Sequence, residues 1–217
     1  MPLPRPRRPR FLRGAHLPSQ VDAPVLRTQR LVLRPHRMEN LEAWTRIEND
    51  PAIQNYLHWP KRSEAEVRSH LRDRTRKTSL YQADDFLALA VELDGALIGD
   101  VSMHLRTVLP EGRSVEVGWL QLPDYRGKGY ATEAAEALLD FAFRKVGALW
   151  VTAVIDVDNE SSMALARRLG FERIAAIGDK VTFLTTEERT AQATGAANPA
   201  PESAESPAAD APSQPKP

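Results

Sequence analysis

Residues 123–133 read Pro123-Asp124-Tyr125-Arg126-Gly127-Lys128-Gly129-Tyr130-Ala131-Thr132-Glu133, and the fold turns on how this stretch is read. Upstream, residues 114–122 have the period-two pattern of a strand. Downstream, Ala131, Ala135, Leu138, Ala142 and Val146 line one face of a long helix. Between them, two glycines let the backbone turn sharply and approach a ligand closely. The start of the helix presents unpaired N–H groups and a partial positive charge, and Arg126 and Lys128 add full charges. This combination suits a phosphate or pyrophosphate, although a basic turn capping a helix would read the same way. Two familiar phosphate loops do not fit. A Walker loop needs Ser or Thr directly after its lysine, and Lys128 is followed by Gly129. A dinucleotide fingerprint needs Gly or Ala where Thr132 stands, and it opens a βαβ unit rather than following an antiparallel meander.

The elements around this stretch can be read by period and punctuation. Residues 31–33 form a short strand ending at Pro35. Met38, Leu41, Trp44 and Ile47 recur at helical spacing over 38–49, and 51–57 reads as a second short helix or turn. Ser63 and Glu66 make a capping box that starts a helix running to about Lys77. Then the period becomes two: 86–93 is a strand, Asp94-Gly95 a hairpin turn, and 96–105 its partner. A turn at 110–112 leads to the strand 114–122, completing an antiparallel meander. Residues 149–155 are apolar without clear alternation, which predicts a strand buried on both faces. Residues 159–169 form a helix stopped by Gly170, and 171–177 with 181–185 close as a hairpin.

The chain has 217 residues, with 29 Lys+Arg against 29 Asp+Glu. Zero net charge argues against a general nucleic-acid binder, and 42% hydrophobic residues suffice for a core. The absence of cysteine excludes disulfides, a thiol nucleophile and thiolate metal sites. His16, His36, His58, His70 and His104 have no metal-ligand spacing, so no metal is expected. No apolar run reaches the ~20 residues of a membrane span. The expected organisation is a disordered basic Pro/Arg-rich arm over 1–24, one domain over 25–187, and a disordered Ala/Pro/Ser-rich tail over 188–217. The arm lacks the apolar stretch of a signal peptide, and the protein is expected in the cytoplasm. The arm could tether the chain to RNA or the ribosome. Lys61, Arg62, Arg68, Arg72, Arg76 and Lys77 give the third helical region a basic face, most simply a solvated one.

Beyond these readings, Arg126-x-x-Gly129-x-Ala131 resembles the R/Q-x-x-G-x-G/A signature of the GNAT family of N-acetyltransferases. Several further blocks, in the same order, resemble the branch that acetylates ribosomal-protein N-termini: residues 26–34, 50–60, 115–120, Asn159-Glu160-Ser161-Ser162 and Leu169-Gly170-Phe171. The resemblance covers the core and neither tail. It implies a mixed α/β fold whose mostly antiparallel twisted sheet is flanked by helices and splays between its two middle parallel strands, the central one bulged. Acetyl-CoA is then the implied co-substrate. Backbone groups of Trp119, Leu120 and Gln121 would pair with its pantetheine arm. Arg126, Gly127, Lys128, Gly129, Tyr130, Ala131 and Thr132 would hold the pyrophosphate, and Asn159 would reach across the cleft.

The resemblance also implies direct attack of an amine on the thioester in a ternary complex. Glu116 would take the amine's proton through water, although a glutamate paired with an arginine on the next strand reads equally well. The helix after Asn159 lacks the tyrosine that many relatives use to protonate the thiolate, so that role passes to Ser162. Tyr56, His58 and Trp59 are the acceptor-side candidates. A protein N-terminal α-amine is the first expectation for the acceptor. A small amine such as a polyamine or an antibiotic, and a non-catalytic acetyl-CoA-binding module, stay open, as do monomer and homodimer.

Overall fold

The computed structural model describes residues 14–57 and 61–195. Its centre is an eight-stranded sheet in the order β2-β3-β5-β6-β7-β8-β10-β9. The strands are β2 (Leu26–Arg27), β3 (Leu31–Pro35), β5 (Phe86–Leu93), β6 (Ala96–Thr107), β7 (Ser114–Gln121), β8 (Trp150–Asp156), β9 (Glu172–Ile177) and β10 (Lys180–Thr185). All neighbours are antiparallel except β7 and β8. A separate two-stranded sheet pairs β1 (His16–Asp22) with β4 (Ser79–Gln82). On one face of the main sheet lie α1 (Leu41–Asn49), α2 (Pro51–Leu57) and α3 (Glu64–Thr75), around a core of Trp44, Ile47, Ile53, Val67 and Leu71. The other face packs against α4 (Tyr130–Phe141) and α5 (Glu160–Arg168), and α6 (Glu187–Thr194) follows the last hairpin.

Local chemistry accounts for most of these elements. The hydroxyl of Ser63 accepts from the Glu66 backbone while the Glu66 carboxylate accepts from the Ser63 backbone, so α3 begins on a complete capping box. Asp94 and Gly95 both take left-handed backbone, φ 50° and 81°, the geometry of a two-residue hairpin turn. Gly170 follows the end of α5 with φ 82°.

Three expectations need correction. The strand at 16–22 lies inside the arm expected to be disordered over 1–24. It is held by cross-strand pairing with β4 and by Leu17, which is buried. At the other end, α6 occupies 187–194, where the unstructured tail was expected to begin at 188. Residues 1–13 and 196–217 lie outside the described residues. Finally, β8 is buried on one face only: Val151 and Ala153 are in the core, whereas Trp150 and Val154 are exposed.

The pair β7–β8 is where the sheet opens. Parallel pairing covers Ser114↔Trp150, Val115↔Val151 and Glu116↔Thr152 and stops there, while β7 continues pairing with β6 as far as Gln121↔Gly99. The last five residues of β7 therefore present an unpaired edge to a cleft. The expected bulge is not in β7. The register shifts between Leu105 and Thr107 of β6, leaving Arg106 as the extra residue.

Close approach of β6 and β7 at the cleft depends on Gly99. A Cβ there would lie 2.4 Å from the Leu120 carbonyl oxygen. Gly99→Ala therefore forces the strands apart, and the expected result is a melting temperature lower by about 5 °C, from ~1–3 kcal/mol of overpacking. A thermal melt checks this; an unchanged melt would mean that the strand edge is more yielding than its geometry implies.

Candidate active site

The β7–α4 connection is built around left-handed glycines. Gly127 has φ 75°, and Gly129, which caps α4, has φ 82°. Side chains other than Gly resist this conformation, so these positions let the chain turn tightly from β7 into α4. The first-turn amides of α4 have no acceptor within the helix. A Cβ at Gly127 would meet nothing within 4 Å, whereas one at Gly129 would lie 3.3 Å from Arg30 Nη2.

Arg30 clamps the loop. Its Nη1 donates to the Lys128 carbonyl (2.9 Å), its Nε to Glu133 Oε2 (2.7 Å), and its backbone N–H to Glu133 Oε1 (2.8 Å). Its guanidinium lies 4.5 Å from the centre of the Tyr130 ring. Thr28 Oγ1 also donates to Glu133, at 2.6 Å. Burial works against the Glu133 charge, but the hydrogen bonds from Thr28 and Arg30 outweigh it and hold the carboxyl below the usual carboxylate range. Glu133 is thereby neutralised in the first turn, and the cradle is not left facing a bare carboxylate. Sequence reasoning assigned neither residue a role. The available signal was an arginine in the 26–34 block and a first-turn glutamate, which only the fold brings together.

Charged side chains of the loop separate into two groups. Lys128 is turned back on its own loop, with Nζ 3.2 Å from the Asp124 carbonyl oxygen and 5.6 Å from the Tyr125 ring centre. Arg126 lines the cleft and has no ion-pair partner among the described residues. Arg168, from the last turn of α5, lines the same cleft and is likewise without one.

A cleft of about 170 Å³ sits at the splay and gathers Tyr56 of α2, Trp119, Leu120 and Gln121 of β7, Arg126, Gly127 and Ala131 of the loop, and Asn159 and Ser162 at the start of α5. Asn159 caps α5: its Oδ1 accepts from the Ser162 backbone (3.0 Å) and from the Ser161 hydroxyl (2.9 Å), so its Nδ2 remains as a donor. Trp119 Nε1 donates to Ser162 Oγ at 3.3 Å, which leaves the Ser162 proton to be given elsewhere. Trp119 also packs edge-on to Phe171. His58 and Trp59 lie outside the described residues.

A second, larger cavity of about 990 Å³ opens from the same loop, sharing Gln121, Gly127, Ala131 and Arg168 with the first. It runs along α4 past Glu136. Burial, and then the nearby Glu133, push the Glu136 carboxyl above its usual range.

Glu116 stands apart from both cavities. It lies on the strand face shared with Gly118 and Leu120, the face that α1–α3 cover. Arg106 grips it through Nη2 (2.9 Å) and Nε (3.2 Å), and its cross-strand neighbour is His104. The bulge at Arg106 is what aims that side chain at Glu116. Burial, then the Arg106 charge, depress the His104 imidazole below its usual value. Among the described residues, no three His, Cys, Asp or Glu side chains converge as a metal site, and no helix is long and apolar enough to cross a membrane.

The open β7 edge, the glycine cradle and the two unpaired arginines fit a ligand with an amide-bearing arm joined to a pyrophosphate, which is the architecture of coenzyme A. Comparisons with known proteins agree. A family model described as Acetyltransferase (GNAT) domain matches residues 30–172. YnaD, an uncharacterized N-acetyltransferase of Bacillus subtilis (strain 168), is 25% identical over 146 residues, which is 67% of this chain and 81% of that protein. The spermidine N(1)-acetyltransferase of Escherichia coli (strain K12) is 26% identical over 144 residues, 64% of this chain and 71% of that one. Among solved structures, RimL, a ribosomal L7/L12 alpha-N-protein acetyltransferase in complex with coenzyme A, superposes with a TM-score of 0.61 at 19% identity, covering 76% of this chain and 98% of that one. The chain belongs to the GNAT acetyltransferase family and is an acetyl-CoA-dependent N-acetyltransferase.

Proposed function

We propose that the acceptor is the α-amine of a protein N-terminus of the ribosomal-protein type, acetylated by direct attack in a ternary complex. One observation carries this choice over a polyamine. Among the described residues, those lining the cleft at the splay include Tyr56, Trp119, Asn159 and Ser162 together with two arginines, Arg126 and Arg168, and no Asp or Glu. A polycation entering this cleft would meet like charge and no counter-charge. A peptide brings one ammonium and a backbone that can hydrogen-bond. The branch-specific blocks of the sequence and the likeness to RimL in fold support the same acceptor.

Acetyl-CoA supplies the activated acetyl group. The backbone groups of Trp119, Leu120 and Gln121 that face the open edge of β7 pair with the pantetheine amides, and a strand N–H on that edge polarises the thioester carbonyl. Residues 127–132, with Arg126, hold the pyrophosphate, and Asn159 Nδ2 donates across the cleft. The amine must shed a proton before or during attack. Glu116 receives it through water, from the face beside α1–α3, where Arg106 holds the carboxylate in place. The new C–N bond forms as the C–S bond breaks; Ser162 gives its hydroxyl proton to the departing thiolate and takes back the second proton released from the amine nitrogen, so the serine ends neutral. The Trp119 indole fixes the serine oxygen as an acceptor, so its O–H is the donor left for this task. The Arg-rich N-terminal stretch serves as a tether to the ribosome or RNA, and the enzyme acts in the cytoplasm.

The test is release of free CoA with three acceptors at matched concentration: a peptide with a free N-terminus, the same peptide N-terminally blocked, and spermidine. The expected result is turnover of the first alone. Turnover of spermidine instead would replace this acceptor with a small amine, and no turnover with intact acetyl-CoA binding would favour a non-catalytic module. Within the active pairing, Glu116→Gln and Ser162→Ala are each expected to lower kcat by about 10²-fold with the KM for acetyl-CoA nearly unchanged. Unchanged kcat in either variant removes that residue from the mechanism.

A further inference from the structure

We infer that α6, which lies beyond the residues matched by the family model, encloses the nucleotide end of the cofactor and makes this chain dependent on it for affinity. The inference rests on the acetyl-CoA reading of the site. The family match ends at residue 172, whereas α6 occupies Glu187–Thr194. This helix is docked firmly. A Cβ at Gly170 would lie 2.5 Å from the Arg189 carbonyl oxygen and 3.2 Å from Ala193 Cβ, so only glycine permits the contact. The hydroxyls of Thr185 and Thr190 lie 3.1 Å apart, and Arg189 pairs with Glu172 at 2.5 Å.

Docked there, α6 presents Glu187, Thr190, Ala191 and Thr194 to the cavity of about 990 Å³, opposite Glu136, Asp140 and Phe143 of the α4 side. That cavity begins at Gly127, Gly129 and Thr132, the same cradle that faces the pyrophosphate. A pyrophosphate held there therefore sends one arm into the small cleft at the splay and its other arm into this cavity. The chemistry of the walls matches a phosphorylated nucleoside. Arg168 stands at the junction of the two cavities without an ion-pair partner among the described residues and can meet a phosphate. Farther in, the carboxylates of Glu136 and Glu187 and the hydroxyls of Thr190 and Thr194 can take ribose hydroxyls and an exocyclic amine. Phe143 supplies an apolar wall for a base.

The experiment is calorimetric titration of CoA, and separately of adenosine 3′,5′-diphosphate, into the full chain, Ala191→Trp and Gln192→Trp. Ala191 faces the cavity, and a tryptophan there fills it. Gln192 is on the exposed side of the same helix and controls for the helix itself. The expected results are that both ligands bind the parent, that Ala191→Trp weakens each by about tenfold or more, and that Gln192→Trp matches the parent. Equal CoA affinity in Ala191→Trp and parent overturns the inference while leaving the acetyl-CoA reading intact. No CoA binding to the folded parent overturns both. If Ala191→Trp melts early, Thr194→Trp, which faces the same cavity from the end of α6, decides: a loss of about tenfold supports the inference, and unchanged affinity refutes it.

Discussion

Gly129→Glu abolishes useful acetyl-CoA binding: affinity falls by about 100-fold or more, equivalent to ~3 kcal/mol. Three effects act together. Gly129 has φ 82°, and any side chain there strains the backbone by ~1–2 kcal/mol. The new Cβ meets Arg30 Nη2 at 3.3 Å, so the clamp that joins Arg30 to Glu133 and to the Lys128 carbonyl must shift. The new carboxylate then stands at the N-terminus of α4, where the helix dipole would otherwise favour the pyrophosphate. Gly127→Ala separates these effects. Its φ is 75°, but its Cβ would meet nothing within 4 Å. It adds strain alone, and its affinity loss is expected to be several-fold rather than 100-fold. Calorimetry on both variants, with melts to confirm folding, checks the ordering. Equal affinity in Gly129→Glu and the parent would remove residues 127–132 as the cradle.

Asp100→Ala is the largest expected loss of stability. Asp100 is on β6 beneath α1–α3 with its side chain 2% exposed, next to Arg74 at 8% and His36 at 0%. Arg74 Nη2 lies 2.5 Å from one carboxylate oxygen and His36 Nε2 lies 2.7 Å from the other. Arg74 also stacks over Trp44, 4.7 Å from the ring centre. Removing the carboxylate leaves a buried guanidinium without its counter-charge, which costs about 3–5 kcal/mol and lowers the melting temperature by about 10 °C.

The same group makes stability fall in acid. Burial alone would raise the Asp100 carboxyl, but the Arg74 charge and the His36 contact outweigh it and hold it below the usual carboxylate range. With the folded value depressed, its contribution is complete above the unfolded value of about 3.9 and is lost as pH falls through the lower folded value. Melts of parent and Asp100→Ala from neutral pH downward should therefore converge below about pH 4. A gap of similar size at every pH, or no gap at neutral pH, would contradict this assignment.

Much of this molecule is legible in the order of residues because the signals are local. The Ser63–Glu66 box, the Asp94-Gly95 turn and Gly170 after α5 each depend on residues within a few positions of one another, and each occurs as read. Of the site, the cradle glycines, Asn159, Trp119, Ser162 and Tyr56 could be named in advance; Gly127 lines the cleft at the splay with Tyr56, Trp119, Asn159 and Ser162, and Gly129 lines the adjoining cavity. The features that escaped are long-range. Arg30 and Glu133 stand 103 residues apart, and no periodicity links them. The strand β1 buries Leu17 fully and Val21 partly, and is interrupted by a register shift between His16 and Val21, so its pattern is too weak to read alone. The helix α6 is polar and begins where composition turns towards a tail. The extra residue Arg106 could be found only from register, and it determines what Glu116 touches.

Hydrogen exchange of the full chain, with and without acetyl-CoA, tests the central claim most directly, because the account assigns binding to particular amides. Acetyl-CoA should slow exchange in residues 119–121, the free edge of β7, and in residues 127–132, the start of α4, with further protection in α6. Protection confined to other segments, or none at saturating acetyl-CoA, would contradict the account.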